Sequence, residues 1–286
     1  MKEKHTIIDI LIYIFFILFA LSILIPFWTI LITSLSTSDG YYASTFHFWS
    51  TGFTLNEYKN ALSNTGGILN GLWVSVRVTV LGTLLAMFLT CMSGYVLSKK
   101  DMPGRNILFN IVLFTMFFSG GLMPFYLTVR NLGLFDSLFA MFIPTAISTF
   151  YTILMKNYFQ SIPPSLEEVA RVEGCNDIQI LYKIVIPLST PAIAAIGLFY
   201  GVNFWNEYFY STLFISSNSL YPLPVILRQM IVQNLAIAQL GQQSVSTNEE
   251  QFKMACIIIS IIPVICVYPF VQKYFTKGLT MGGVKG

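Results

Sequence analysis

Residues Ile10–Thr33 read ILIYIFFILFALSILIPFWTILIT and carry no charged side chain. A bilayer core takes about 20 consecutive apolar residues as helix, which satisfies every backbone N–H and C=O within the segment. This stretch is long enough to cross. It is too long for the apolar part of a signal peptide and lacks a small-residue cleavage site in the right place, so it reads as a retained span. Working outward, five more charge-free stretches qualify: Val78–Ser98, Asn106–Val129, Ser137–Met155, Ile184–Asn206 and Met254–Gln272. The expected fold is all-α, a polytopic membrane protein with about six transmembrane helices. Tyr208–Leu227 is uncharged too, but Ser216, Ser217, Asn218, Ser219, Pro222 and Pro224 oppose a helix through lipid. It reads as an outer loop, open to a partly re-entrant course.

Composition agrees. Hydrophobic residues make up 55% of the 286 and charged residues 10%, against about a quarter charged in soluble domains. Membrane lipid is therefore the chain's second solvent. The net charge of +3 is scattered, with no footprint for nucleic acid. Cys91, Cys256 and Cys266 fall in apolar runs and Cys175 in a loop. With His5 and His47 the only histidines, no metal-ligand spacing arises and no metal site is expected.

Lysine and arginine placement sets the orientation. Lys2, Lys4, Lys99, Lys100, Arg105, Lys156, Arg171, Lys183, Lys273, Lys277 and Lys285 fall in one alternating set of segments. Lys59, Arg130, Arg228 and Lys253 fall in the other. Both termini are expected in the cytoplasm, and so is the segment between spans four and five.

That segment, Lys156 to Lys183, is too long to be only a tether. Pro163-Pro164 stops span four. Ser165 and Glu168 have the spacing of a capping box, and Gly174 supplies the left-handed residue that ends a short helix. Asn176, with Gln179 three residues on, caps a second helix expected to run to Pro187. Leu166, Val169 and Ala170 line one face of the first helix. Ile178, Leu181 and Ile184 or Val185 line one face of the second. Helices this short do not stand alone in water, so these faces pack on the protein's own spans, on the lipid interface or on a partner.

Glu168-Val169-Ala170, then Gly174, then Ile184-Val185-Ile186-Pro187 resembles the EAA loop of ABC importer permeases, with Val169 and Ile186 as mild departures. Ser119–Pro124, Leu132-Gly133-Leu134, Asn203–Glu207 and the ending Gly278–Gly286 are similar to carbohydrate-importer permeases of the maltose-system, MalG-like type, most of all the branch typified by LplC and YtcP. The first span and Ser36–Asn70 match only in general character. The resemblance implies one permease domain over 1–286, a cytoplasmic coupling loop at 156–186 and a cytoplasmic tail at 276–286. It implies ATPase-coupling roles for Glu168, Ala170, Gly174, Ile184 and Pro187, and a tail contact through Lys277, Gly282 and Gly283. The implied partners are a second, different permease, a cytoplasmic ABC ATPase dimer and an extracytoplasmic solute-binding protein in a bacterial inner membrane. ATP and Mg would belong to the ATPase, and the transported solute would be an oligosaccharide. The glycine-rich tail lacks the G-x-x-x-x-G-K-[ST] spacing, and no other segment has it, so this chain is not expected to hydrolyse ATP.

Asn203, Glu207 and Tyr210 share one helical face at about 100° per residue, with Trp205 in the same run. A membrane-edge carboxylate is costly unless it faces a polar cavity or a partner. Amides, carboxylate and aromatic planes suit sugars, whose faces are apolar and whose edges bear hydroxyls. Anchoring at the outer interface is the competing role for Glu207 and Trp205. Gly120, Gly121 and Pro124 interrupt span three, either to line a cavity or to admit a neighbouring helix. An ion-coupled secondary transporter would show paired ionisable groups within its spans or duplicated halves. A membrane enzyme would show a motif such as H-E-x-x-H or G-x-S-x-G. None of these features is present.

Overall fold

The protein is described here by a computed structural model covering residues 7–43, 48–50, 52–63, 67–239 and 249–281. In chain order the first helices are α1 (Ile7–Ser34), α2 (Ser38–Ala43), α3 (Asn56–Leu62) and α4 (Ile68–Ser98). Then come α5 (Arg105–Phe117), α6 (Leu122–Asn131), α7 (Thr149–Gln160), α8 (Pro164–Val172) and α9 (Asp177–Ile180). The last are α10 (Ile186–Leu188), α11 (Thr190–Trp205), α12 (Phe209–Phe214), α13 (Leu223–Gln239) and α14 (Glu249–Met281). Among the described residues the only β pairing is an isolated bridge between Ser36 and Phe53.

Among the described residues three helices are long and apolar enough to cross a bilayer, and the spans number up to six when each of three bent pairs is taken as one span. The all-α, six-span expectation holds, but several ends move. Span two begins at Ile68, ten residues early, with Arg77 inside the helix. Its long aliphatic stem lets such a side chain ride on an apolar helix while the charge reaches polar surroundings. Span three breaks between α5 and α6, whose axes differ by 114°. There Phe118 is extended and Gly121 has φ 88°. Pro124 lies in the first turn of α6, where its missing N–H costs nothing. Span four starts with two 3₁₀ turns, Leu138–Met141 and Ile143–Thr145, and bends by 53° into α7.

Span five needs the largest correction. The second loop helix does not stop at Pro187. It continues through a widened π turn, Leu181–Val185, and then α10. An i→i+5 turn leaves room for a proline ring that an ordinary turn would clash with. The chain then bends by 84° at Ser189 into α11, so Ile184–Leu188 run on from the loop helix and a sharp bend separates them from α11. Tyr208–Leu227 is not a plain loop either, since it holds α12, a 3₁₀ turn at Asn218–Leu220 and the start of α13.

The chain forms two compact units, one of Met1–Leu69 with Ile226–Ile262 and one of Asn70–Val225 with Pro263–Gly286. In the first, the Ser34 and Tyr58 hydroxyls are 2.6 Å apart, and Ala61, Ala255 and Cys256 are fully buried. In the second, Val78, Ala86, Met141, Met155, Tyr200 and Phe204 form part of the core. Gly94 brings α4 against α7: a Cβ there would stand 3.1 Å from Met155 Cγ and 3.3 Å from the Lys156 amide nitrogen.

Candidate coupling loop and pathway pocket

α8 begins one residue before the expected cap. Pro163 is its N-cap and Pro164 its first residue, with no side-chain cap bond. Ser165 therefore sits inside the first turn, and the Ser165–Glu168 capping box does not form. A leading proline removes one of the donors that such a box would satisfy. Glu168 is exposed. The other end is as expected: Gly174 has φ 84°, its amide donates to Arg171 O at 3.0 Å and the Cys175 amide to Ala170 O at 2.9 Å. These two bonds make a complete Schellman close. Asn176 then caps α9 reciprocally: Gln179 N donates to Asn176 Oδ1 at 2.8 Å, and Asn176 N to Gln179 Oε1 at 2.9 Å.

The two apolar faces divide differently from the expected grouping. Ala170, Ile180, Leu181 and Val185 are buried in the protein's own core, and Ile184 packs partly against it. Leu166, Val169, Ile178 and Tyr182 are exposed, and Val172 is 90% exposed. Val172 went unnoticed in the sequence, although its i,i+3 spacing from Val169 marks one helical face. Glu167, next to the expected Glu168, forms an ion pair with Lys99 at the end of α4. The Lys99 ammonium also lies 4.1 Å from the centre of the Tyr95 ring.

A cavity of about 380 Å³ lies beside α11, lined by Tyr151, Tyr200, Asn203, Glu207 and Tyr210 among others. Asn203 Nδ2 donates to the Tyr151 hydroxyl at 3.3 Å. Tyr151 stacks on Phe199 at 5.9 Å and meets Tyr200 edge-on at 4.7 Å. The Tyr200 hydroxyl accepts from the Ser148 amide and lies 2.9 Å from Thr90 Oγ1. Glu207 Oε1 accepts from the Tyr210 amide at 2.7 Å and so holds the start of α12. Asn203, Glu207 and Tyr210 thus line one cavity, but not as one helical face: α11 ends at Trp205, Glu207 lies in the link and Tyr210 in α12. Trp205 instead lines a second, largely apolar cavity of about 600 Å³ with Gly197 and Gly201. Lys277 lies in α14, whose side chains there are not described, and Gly282 and Gly283 fall outside the described residues.

Asp136 could not be singled out from the sequence. It has φ 52°, and Oδ1 accepts from the Ser216 and Ser217 amides at 2.9 Å each, while Oδ2 accepts from Ser217 Oγ. The Ser217 hydroxyl, and then the two amides, hold its carboxyl below the usual aspartate value.

The chain is 44% identical to the polygalacturonan/rhamnogalacturonan transport system permease protein YtcP of Bacillus subtilis, over 99% of this chain and 100% of that one. It belongs to the permease subunits of carbohydrate ABC importers. LplC of the same organism is 40% identical over 92% of this permease and 90% of its own length. The fold agrees with a chain of a bacterial ABC transporter involved in the import of the acidic polysaccharide alginate, with TM-score 0.86 and 35% identity over 96% of this permease and 99% of that chain. No family model matches. As a member of this family the permease is a non-catalytic membrane subunit, with ATP hydrolysis in a separate one, and an ion-coupled secondary transporter is not favoured.

Proposed function

We propose that this permease, as a single domain over 1–286, forms the translocation pathway of an oligosaccharide importer with a second, different permease. Its solutes are oligosaccharides released from complex acidic polysaccharides, pectic ones foremost, in keeping with the names of its relatives. The loop at 156–186 lies in the cytoplasm with both termini and seats on an ABC ATPase dimer that holds ATP and Mg. The tail at 276–286 reaches the same ATPase through Lys277, Gly282 and Gly283. A loaded solute-binding protein docks from outside, and closure of the ATPase drives alternating access.

One observation carries the coupling role: Leu166, Val169, Val172, Ile178 and Tyr182 stand exposed around the Gly174 turn, while the opposite face is buried in the protein's own core. The face left open suits a cleft on a partner. Glu168, exposed beside it, is free to meet a cation there. Asn203, Glu207 and Tyr210 offer the pathway a polar wall with aromatic planes.

Purification of the native complex, with partners identified by mass spectrometry, tests this. A second permease, an ABC ATPase and a binding protein should be recovered. Val172→Glu places a charge in the apolar contact, at a cost of several kcal/mol by the rule of about 2–7 kcal/mol for an unpaired polar group. It should release the ATPase while the second permease stays bound. Full retention of the ATPase would count against the docking role.

A further inference from the structure

The coupling loop and the pocket beside α11 are both fastened to one continuous helix, α4. At its end, Lys99 pairs with Glu167 of α8, and both side chains are about four-fifths buried (21% and 20% exposed). The pair is further confined because Lys99 rests on Tyr95, which in turn meets Phe159 edge-on at 6.4 Å. The Ser98 carbonyl also accepts from Gln160 Nε2 at 3.2 Å, just before α8 begins. Further up the same helix, Thr90 Oγ1 lies 2.9 Å from the Tyr200 hydroxyl, which lines the pocket.

From this we infer that α4 is the rod that carries movement of the coupling loop to the pathway, with Lys99–Glu167 as its lower joint and Thr90–Tyr200 as its upper one. Thr90 and Lys99 are nine residues apart, about 14 Å along a helix rising 1.5 Å per residue. No break or proline lies in α4 between Thr90 and Ser98, and Lys99 follows its last residue directly, so the helix transmits displacement along its axis without an intervening loop. A largely buried ion pair resists separation more than an exposed one, because its charges are less screened. Lys99 and Glu167 are positioning residues: they touch neither sugar nor nucleotide. Glu167 and Glu168 then divide the work, one fastening the loop to its own span and the other facing outward.

The inference rests on the coupling and pathway roles proposed above, and its test separates their failures. The complex with its second permease and ATPase is placed in nanodiscs, with the native cysteines replaced and Asn203→Cys as reporter. The labelling rate at this position by a membrane-impermeant maleimide is compared with and without ATP, alongside ATP hydrolysis. Lys99→Gln, Glu167→Gln and Thr90→Val should each cut the ATP-dependent change by about threefold or more while hydrolysis persists. Lys99→Arg should keep the change. Lys99→Gln combined with Glu167→Gln should be no worse than either alone, since one joint can be broken only once. A full ATP response in both single variants, in Thr90→Val, or additive losses in the double variant would overturn the rod. Gly174→Val is run beside them. If it abolishes the response and the α4 variants do not, only this inference falls. If it leaves the response whole, the coupling role of the loop falls. No ATP-dependent change at position 203 in the parent would sink the pathway role of the pocket and the rod with it.

Discussion

The amide of Cys175 donates to the carbonyl of Ala170 at 2.9 Å, reaching back across Gly174 to close α8. The chain can do this only with positive φ at Gly174, here 84°. A Cβ at that position would meet nothing within 4 Å, so any penalty for a side chain is conformational and not steric.

Gly174→Val therefore introduces local strain of about 1–2 kcal/mol and turns α9 away from α8. The six spans should still insert. Binding-protein-stimulated ATP hydrolysis and uptake should fall by about tenfold, the factor that corresponds to 1.4 kcal/mol. Gly174→Asn, which tolerates the left-handed region, should retain most of both. Wild-type stimulation in Gly174→Val would leave the loop as interfacial packing.

Orientation has its own check. With native cysteines replaced, a single cysteine at Ser50 should react with an impermeant maleimide in intact cells, and one at Gly174 only after the membrane is opened. Labelling of the latter from outside would reverse the topology.

For the pocket, Glu207→Ala removes the carboxylate that accepts from Tyr210 N, and Asn203→Ala removes the donor to Tyr151. Both should lower uptake of oligogalacturonides by about five- to tenfold, the loss of roughly one hydrogen bond at about 1–1.5 kcal/mol. Assembly and basal ATP hydrolysis should persist. Trp205→Ala, in the other cavity, should act on assembly in preference to uptake. Unchanged transport kinetics in all three would favour anchoring at the interface.

The Asp136 clamp predicts a pH dependence. Its carboxyl is held below its ordinary value by Ser217 and the two amides. A lowered folded value means the clamp is at full strength above the unfolded value, near about pH 4, and weakens as pH falls through the lower folded one. Asp136→Asn keeps a residue that accepts positive φ but loses the charge. The purified complex in detergent should melt lower than the parent at pH 7, with the gap narrowing as the pH drops below about 4. A gap independent of pH would assign the effect to backbone geometry instead.

Much of this architecture was legible because lipid imposes a blunt criterion. Runs without charge located all six spans, and the spacing of Asn176 and Gln179 located the second cap. The errors share a cause: each depended on where a neighbouring element lay. The charge-free stretch Val78–Ser98 starts ten residues late because Arg77 precedes it, although that residue lies inside α4. Pro187 was read as a stop, although the wide turn before it absorbs the ring. Ser165 has the right spacing for a cap, but Pro164 starts the helix first. Glu167 and Glu168 are indistinguishable in sequence, and only Lys99, 68 residues earlier, separates them. Asp136 and Ser217 are 81 residues apart, and no local pattern connects them.

The wide turn at Leu181–Val185 also sets an azimuth. Relative to an ordinary helix, a turn that takes in one additional residue offsets everything upstream by about 100°. Ile178, upstream of the turn, owes its outward heading to that offset as much as to its own chemistry. Shortening the turn by one residue would press the Pro187 ring against the preceding turn, and it would also swing Ile178 to a different compass bearing. Regularity there would be a loss of aim.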